Sequence, residues 1–124
     1  MITGIEHIAI ASLHPYDLAA WYIENLDFSM VLDTGKTVYI RSLNHVILEF
    51  VYADAEPAKP LIRDAGLRHI ALSVDNIDAA YEKLKSKGAR FADERIELPG
   101  ARIHFFQDPE GNFLHLVQRD TALI

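Results

Sequence analysis

The sequence predicts an α+β protein built from two βαβββ modules. Three observations support this. A histidine-bearing apolar stretch occurs twice, as Ile5-Glu6-His7-Ile8-Ala9-Ile10 and Leu67-Arg68-His69-Ile70-Ala71-Leu72, 62 residues apart in a chain of 124. Each copy leads into a segment with helical spacing of apolar residues. Each of those segments leads into three further strand-like runs separated by turn residues.

In order along the chain, residues 5–11 have the short, branched, apolar character of a strand buried on both faces. Alternation places His7 on a face with Ile5 and Ala9, where the small alanines leave room for an imidazole. Pro15 suits the first turn of a helix, since its missing N–H costs nothing there. Leu18, Trp21, Tyr22 and Leu26 continue at helical spacing, so residues 15–26 should form an amphipathic helix with Trp21 and Tyr22 in the core. His14, just before it, reads as a loop residue. Strands follow over residues 28–33, 36–42 and 45–52, joined by turns at Thr34-Gly35-Lys36 and Leu43-Asn44. In the last of these, His45, Ile47, Glu49 and Val51 share one face, and Val46, Leu48, Phe50 and Tyr52 the other. A carboxylate at Glu49, inside an apolar strand, needs a cation, a metal or a donor.

Residues 54–66 are polar, small and proline-containing, which reads as a linker joining modules 1–53 and 67–119 of a single 1–124 domain. A short turn is expected over residues 61–66. The second module repeats the first. After Val74, Asp75 or Asn76 can cap a helix whose buried stripe is Ile77, Ala80, Tyr81 and Leu84. Lys83, Lys85 and Lys87 suit its C-terminal end, and Gly88 stops it. Strands are expected over 89–97, 101–107 and 112–119. Asp108-Pro109-Glu110-Gly111-Asn112 reads as a structural turn between the last two.

Composition narrows the function classes. Half of the residues are hydrophobic and 24% are charged, as in an ordinary globular domain. The net charge of −6, with no basic cluster, argues against a nucleic-acid partner. No run approaches the ~20 apolar residues of a membrane span. The N-terminal stretch lacks a basic flank before a long apolar run, so no signal peptide is expected. The absence of cysteine excludes disulfides and thiolate metal sites and fits a reducing cytoplasm.

Each module offers a ligand-type residue on its first strand and another on its last: His7 and Glu49, then His69 and His115. A lone histidine on an apolar strand is usually a hydrogen-bonded core residue. Four such residues at matching places in two repeats are harder to explain that way. Imidazoles with a carboxylate suit Zn, Fe, Ni, Mn or Co. Four protein ligands on an ion that can take six leave positions open for water or substrate. His45, on the face of Glu49, is a candidate pocket-lining residue. His104 lies off the repeat and is assigned to the pocket surroundings or the surface.

Taken together, Ile5-Glu6-His7-Ile8-Ala9-Ile10, the helix end Trp21-Tyr22-Ile23-Glu24-Asn25-Leu26-Asp27-Phe28, Leu67-Arg68-His69-Ile70-Ala71-Leu72, and Phe105-Phe106-Gln107-Asp108-Pro109-Glu110-Gly111-Asn112 resemble the vicinal oxygen chelate superfamily. That superfamily includes lactoylglutathione lyase, methylmalonyl-CoA epimerase, extradiol dioxygenases and the fosfomycin and bleomycin resistance proteins. The resemblance covers nearly the whole chain. It implies two βαβββ modules forming a cupped, incomplete β-barrel around a divalent metal, usually in a homodimer. The family's ligand positions fall on His7, Glu49, His69 and residue 115. Two departures stand out. The helix ends Leu26-Asp27-Phe28 where a glycine is usual in the middle place, and residue 115 is histidine where most metal-using relatives have glutamate.

The reading that follows is a metal-dependent lyase or isomerase of glyoxalase type, acting on a small substrate with vicinal oxygens. Glu49 becomes the candidate catalytic base, because a metal-bound histidine at 115 takes a proton from carbon less readily than a carboxylate. Arg41, Arg102 and Lys36 are the cations available for an acidic substrate at the pocket mouth, and the sequence does not select among them. The alternatives are a non-haem Fe(II) dioxygenase and a non-catalytic binding or antibiotic-resistance protein, because a shared fold does not set function.

Overall fold

A computed structural model describes residues 1–56 and 58–124; Pro57, which falls in the expected linker, lies outside the described residues. The chain divides into two compact units, Met1–Ala58 and Lys59–Ile124. Both follow the βαβββ plan, with one strand of the second unit split in two, so the α+β class and the paired modules hold.

The first unit contains β1 (Ile8–Ser12), α1 (Pro15–Asn25), β2 (Ser29–Asp33), β3 (Val38–Arg41) and β4 (Ile47–Tyr52). They form an open four-stranded sheet in the order β1-β4-β3-β2. β1 runs parallel to β4, with Ala9 opposite Glu49, and β3 runs antiparallel to it, with Tyr39 opposite Glu49. α1 crosses one face of this sheet and packs on β3 and β4. Its Leu18, Ala19 and Tyr22 are buried with Val38, Ile40, Leu48, Phe50 and Phe28. Tyr22 meets the rings of Phe28 and Phe50 edge-on at 5.7 and 5.2 Å. Because strand side chains alternate, burying Leu48 and Phe50 under the helix turns Glu49 to the other face, together with Tyr39 and Arg41. The helix opens with Pro15 in its first turn and closes at Leu26, whose N–H donates to the Tyr22 carbonyl. Asp27, which follows the helix end, takes the left-handed backbone, φ +59°.

The second unit contains β5 (His69–Ser73), α2 (Ile77–Ser86), β6 (Arg90–Phe91), β7 (Ile96–Leu98), β8 (Ala101–Gln107) and β9 (Phe113–Arg119). The sheet order is β5-β9-β8-β6, with β7 also on β8. β5 runs parallel to β9, with Ala71 opposite His115, and β8 runs antiparallel to it, with Phe105 opposite His115. Asn76 caps α2 by accepting from the Ala79 N–H at 3.0 Å, and Gln118 of β9 accepts from the Ile77 N–H at 2.8 Å. Ile77 and Leu84 of the helix are buried, as are Leu114, Leu116 and Phe106 of the sheet. Asp108 is fully buried in the turn before β9. Its carboxylate accepts from the backbone N–H groups of Glu110 and Asn112 and from the Asn112 amide at 2.8–3.0 Å, which sets where β9 begins.

Three expectations change. The first strands of both units lie at sheet edges, each paired on one side only, so Ile5 and Leu67 are exposed and Ile8 is partly so. They are not buried on both faces. His45 is not in a strand: it sits in the turn 42–46 at φ +68°, and β4 begins at Ile47. The turn closes through His45 N–H to Ser42 O and Ser42 N–H to Val46 O, both 3.0 Å, the pattern of a β-turn followed by a left-handed bulge residue. The strand expected over 89–97 breaks into β6 and β7. Both pair with β8, Phe91 opposite Phe106 and Ile96 opposite Ile103, so residues 92–95 of this segment face only His104 and Phe105 of β8. The short turn expected over residues 61–66 is present, held by Asp64, whose carboxylate accepts from the Leu61 N–H at 2.7 Å, with no strand or helix between β4 and β5 among the described residues. Among those residues, no helix is long and apolar enough to cross a membrane.

Candidate metal centre

In the first unit, His7 lies just before β1, two residues ahead of Ala9. Because Ala9 is the residue opposite Glu49, the imidazole reaches the carboxylate diagonally across the parallel pair. His7 Nε2 is 3.3 Å from Glu49 Oε1, and its Nδ1 is 3.0 Å from Glu6 Oε1. Tyr39 completes the cluster from β3. Its ring meets His7 edge-on, centroids 5.5 Å apart. The Glu49 carboxylate on the neighbouring strand, with burial adding to it, holds the Tyr39 phenol above its ordinary pKa.

The second unit repeats this with different chemistry. His69 lies two residues ahead of Ala71, the residue opposite His115. The two imidazoles stand 4.5 Å apart between centroids, and Phe105 of β8 meets His69 edge-on at 5.3 Å and His115 at 4.8 Å. His115 is buried, and its Nδ1 lies 3.3 Å from the Leu116 carbonyl, the partner of an Nδ1–H tautomer. Burial, then the neighbouring His69, pushes its pKa below the ordinary histidine value, against the opposing effect of the Leu116 carbonyl. The result is a neutral imidazole whose Nε2 lone pair is free to bind a metal.

The donor set of the first unit fits a cation on its own geometry. A neutral imidazole has one N–H, yet both nitrogens of His7 face carboxylate oxygens. With Nδ1 donating to Glu6, a neutral ring turns its Nε2 lone pair to Glu49, and either a bound cation or a second proton on the ring would join the two. Two ligand atoms on neighbouring corners of one ion, each about 2.1 Å from it, lie about 3.0–3.4 Å apart. The observed 3.3 Å falls in that range. The ligand-type residues come in one pair per unit, and no group of three or more that could hold a metal is gathered among the described residues.

The remaining sequence candidates fall elsewhere. Arg41 shares the Glu49 face, with Ser29 Oγ 3.4 Å from its Nε and His45 Nδ1 3.4 Å from its Nη1. His45 is thus beside Arg41 in the turn and does not share the strand with Glu49. Lys36 lies in the 34–37 turn. His104 and Arg102 alternate with Phe105 on β8 and so point to its other face. There His104 stacks on Tyr81 at 4.8 Å and contacts Phe91, its Nε2 is 2.8 Å from the Ala92 carbonyl, and its buried Nδ1 has no hydrogen-bond partner. Arg102 pairs with Asp120 at 3.5 Å. Sequence reasoning missed Tyr39 and Phe105. The available signal was their common spacing: 39 to 105 is the same 66-residue step as 49 to 115.

Comparison with known proteins agrees with this architecture. Residues 4–116 match the family described as the Glyoxalase/Bleomycin resistance protein/Dioxygenase superfamily. The uncharacterized protein YwkD of Bacillus subtilis (strain 168) is 32% identical over 127 residues, spanning 96% of this chain and 99% of that one. Two solved structures share the fold. TnmS3, an antibiotic binding protein from Streptomyces sp. CB03234, has a TM-score of 0.77 at 21% identity, covering 96% of this chain and 98% of that one. The fosfomycin resistance protein FosX from Listeria monocytogenes, complexed with Mn(II) and sulfate ion, has a TM-score of 0.75 at 18% identity, covering 99% and 94%. With two βαβββ units and a family match over nearly its whole length, the chain belongs to the Glyoxalase/Bleomycin resistance protein/Dioxygenase superfamily.

Proposed function

We propose that this protein is a divalent-metal-dependent lyase or isomerase acting on a small substrate with two neighbouring oxygens. His7, Glu49, His69 and His115 hold the metal, which is Zn, Ni, Fe, Mn or Co. The observation that carries this reading is His7, set between two carboxylates with its Nε2 3.3 Å from Glu49. Glu6 accepts from Nδ1 and so orients the ring for ligation through Nε2. When bound, the ion supplies Lewis acidity to the substrate oxygens and so acidifies the carbon beside them. Glu49 is the base that takes the proton from that carbon and returns it at the neighbouring position. His115, neutral and anchored at Nδ1 by Leu116, serves as a ligand and leaves the proton chemistry to Glu49. The protein works as a homodimer in the cytoplasm.

The test has two arms. Protein purified without added metal should contain a divalent ion that His115→Ala loses, and equal, negligible metal in both contradicts the reading. The loaded protein should also exchange solvent deuterium into the carbon beside the carbonyl of small α-hydroxycarbonyl compounds. Glu49→Gln should abolish that exchange while retaining part of the metal. Tight binding of such compounds with no exchange would instead mark a sequestering protein, and oxygen consumption with a catechol would mark a dioxygenase.

A further inference from the structure

The turns before the last strand of each unit are built alike. In the first, the Ser42 N–H donates to the Val46 carbonyl and the His45 N–H to that of Ser42; in the second, the Asp108 N–H donates to Asn112 and the Gly111 N–H to Asp108, each residue displaced by the same 66 positions. His45 and Gly111 are therefore counterparts, and both take the left-handed backbone, at φ +68° and +89°. Glycine adopts that conformation freely, whereas histidine does so uncommonly and at a cost. Arg41 and Gln107, four residues earlier, are counterparts as well. Gln107 turns its amide back to the Gly111 carbonyl at 3.2 Å. Arg41 instead meets the side chain that glycine lacks. Its Nη1 lies 3.4 Å from His45 Nδ1, and its Nε donates to Ser29 Oγ at 3.4 Å.

A guanidinium only donates, so His45 accepts at Nδ1 and carries its proton on Nε2. The first unit thus places a histidine where the second uses glycine, and that histidine holds an arginine. Arg41 stands opposite Ile47, and Tyr39 opposite Glu49, on one face of the sheet. Arg41 is therefore the diagonal neighbour of Glu49, about 7–8 Å away. The two do not pair. Among the described residues Arg41 makes no ion pair with any carboxylate, while Arg95 and Arg102 each hold an aspartate. The Arg41 guanidinium is exposed, is held by two uncharged partners, and keeps further N–H donors for a ligand.

Resting on the reading of Glu49 as part of a substrate site, we propose that Arg41, held by His45 and Ser29, binds an oxyanion on the substrate, a carboxylate or a phosphate placed beside the vicinal oxygens. The planar fork of arginine matches either through paired N–H···O bonds. His45 is a positioning residue that acts through Arg41.

Calorimetry on the Zn(II)-loaded protein tests this with three probes: neutral dihydroxyacetone, dihydroxyacetone phosphate, and the carboxylate 5-hydroxy-4-oxopentanoate. The wild type should bind one charged probe about tenfold or more tightly than dihydroxyacetone, the scale of a charge-assisted pair. Which probe is preferred separates phosphate from carboxylate. Arg41→Gln, the residue of the second unit at this place, should bring the ratio of affinities near one. His45→Gly should lose part of the ratio without lowering the urea midpoint, because glycine takes the left-handed backbone freely. Equal binding of all three probes by the wild type, or an unchanged ratio in Arg41→Gln, would overturn the inference and leave the metal reading standing. A full ratio in His45→Gly would overturn the role of His45. Repeating the titrations in EDTA separates the two readings. Binding of a charged probe that persists without metal and depends on Arg41 supports the oxyanion site by itself, and binding of no probe in either condition defeats both.

Discussion

His115 stands 4.5 Å from His69, ring centroid to centroid, with its Nδ1 turned away to the Leu116 carbonyl. Burial and the neighbouring imidazole both resist protonation there, so the folded protein holds the ring neutral below the ordinary pKa of 6.5. The unfolded chain then binds more protons than the folded one in the window just below 6.5, and stability rises with pH across it. The contribution is intact above about pH 6.5 and is lost as pH falls from there through the lowered folded-state value. Urea midpoints of the metal-free protein should therefore drop between pH 7.5 and pH 5.5. His115→Phe should flatten that part of the slope. A slope unchanged by the substitution would place the pH dependence elsewhere.

Asp27 takes a left-handed backbone at the exit of α1, a conformation that glycine adopts without cost and aspartate only with some strain. Asp27→Gly should stabilise the protein by about 0.5 kcal/mol, net of the entropy that glycine adds to the unfolded chain. A urea titration reads this directly. A lower midpoint would mean that the aspartate makes a compensating contribution.

His104 belongs to the packing between α2 and its sheet. It is buried, stacked on Tyr81 and bonded at Nε2 to the Ala92 carbonyl where β6 gives way to β7. His104→Ala should lower stability by about 2–3 kcal/mol through the cavity and the orphaned carbonyl. It should leave the metal content of the folded protein unchanged. Loss of metal without loss of stability would return His104 to the candidate ligands.

Most of the fold is legible in the sequence because its signals are local. The repeated His-Ile-Ala stretch, the helical stripes of Leu18-Tyr22 and Ile77-Leu84, and the alternation through Leu48-Glu49-Phe50 each depend on a single element. The pairing of His7 with Glu49 follows from two such elements lying parallel. What stays hidden depends on register between distant strands. The break between β6 and β7 comes from two-strand pairing with β8, and the residues inserted there change the step between the units from 62 to 66. Tyr39 is masked by that change of step, because it aligns with Phe105 only after the bulge is counted. His45 shows the opposite failure. Its spacing from Glu49 suggests a shared face, but the turn requires a left-handed residue just where the histidine stands.

The central proposal is that His7, Glu49, His69 and His115 are ligands of a divalent ion. Metal stoichiometry by mass spectrometry of the intact native protein and by elemental analysis tests it most directly, on the wild type, His7→Ala and His115→Ala. The account predicts a divalent ion in the wild type and loss of that ion in either variant alone. Retention of the full metal content by either variant, with its fold preserved, would show that the histidine removed is not a ligand.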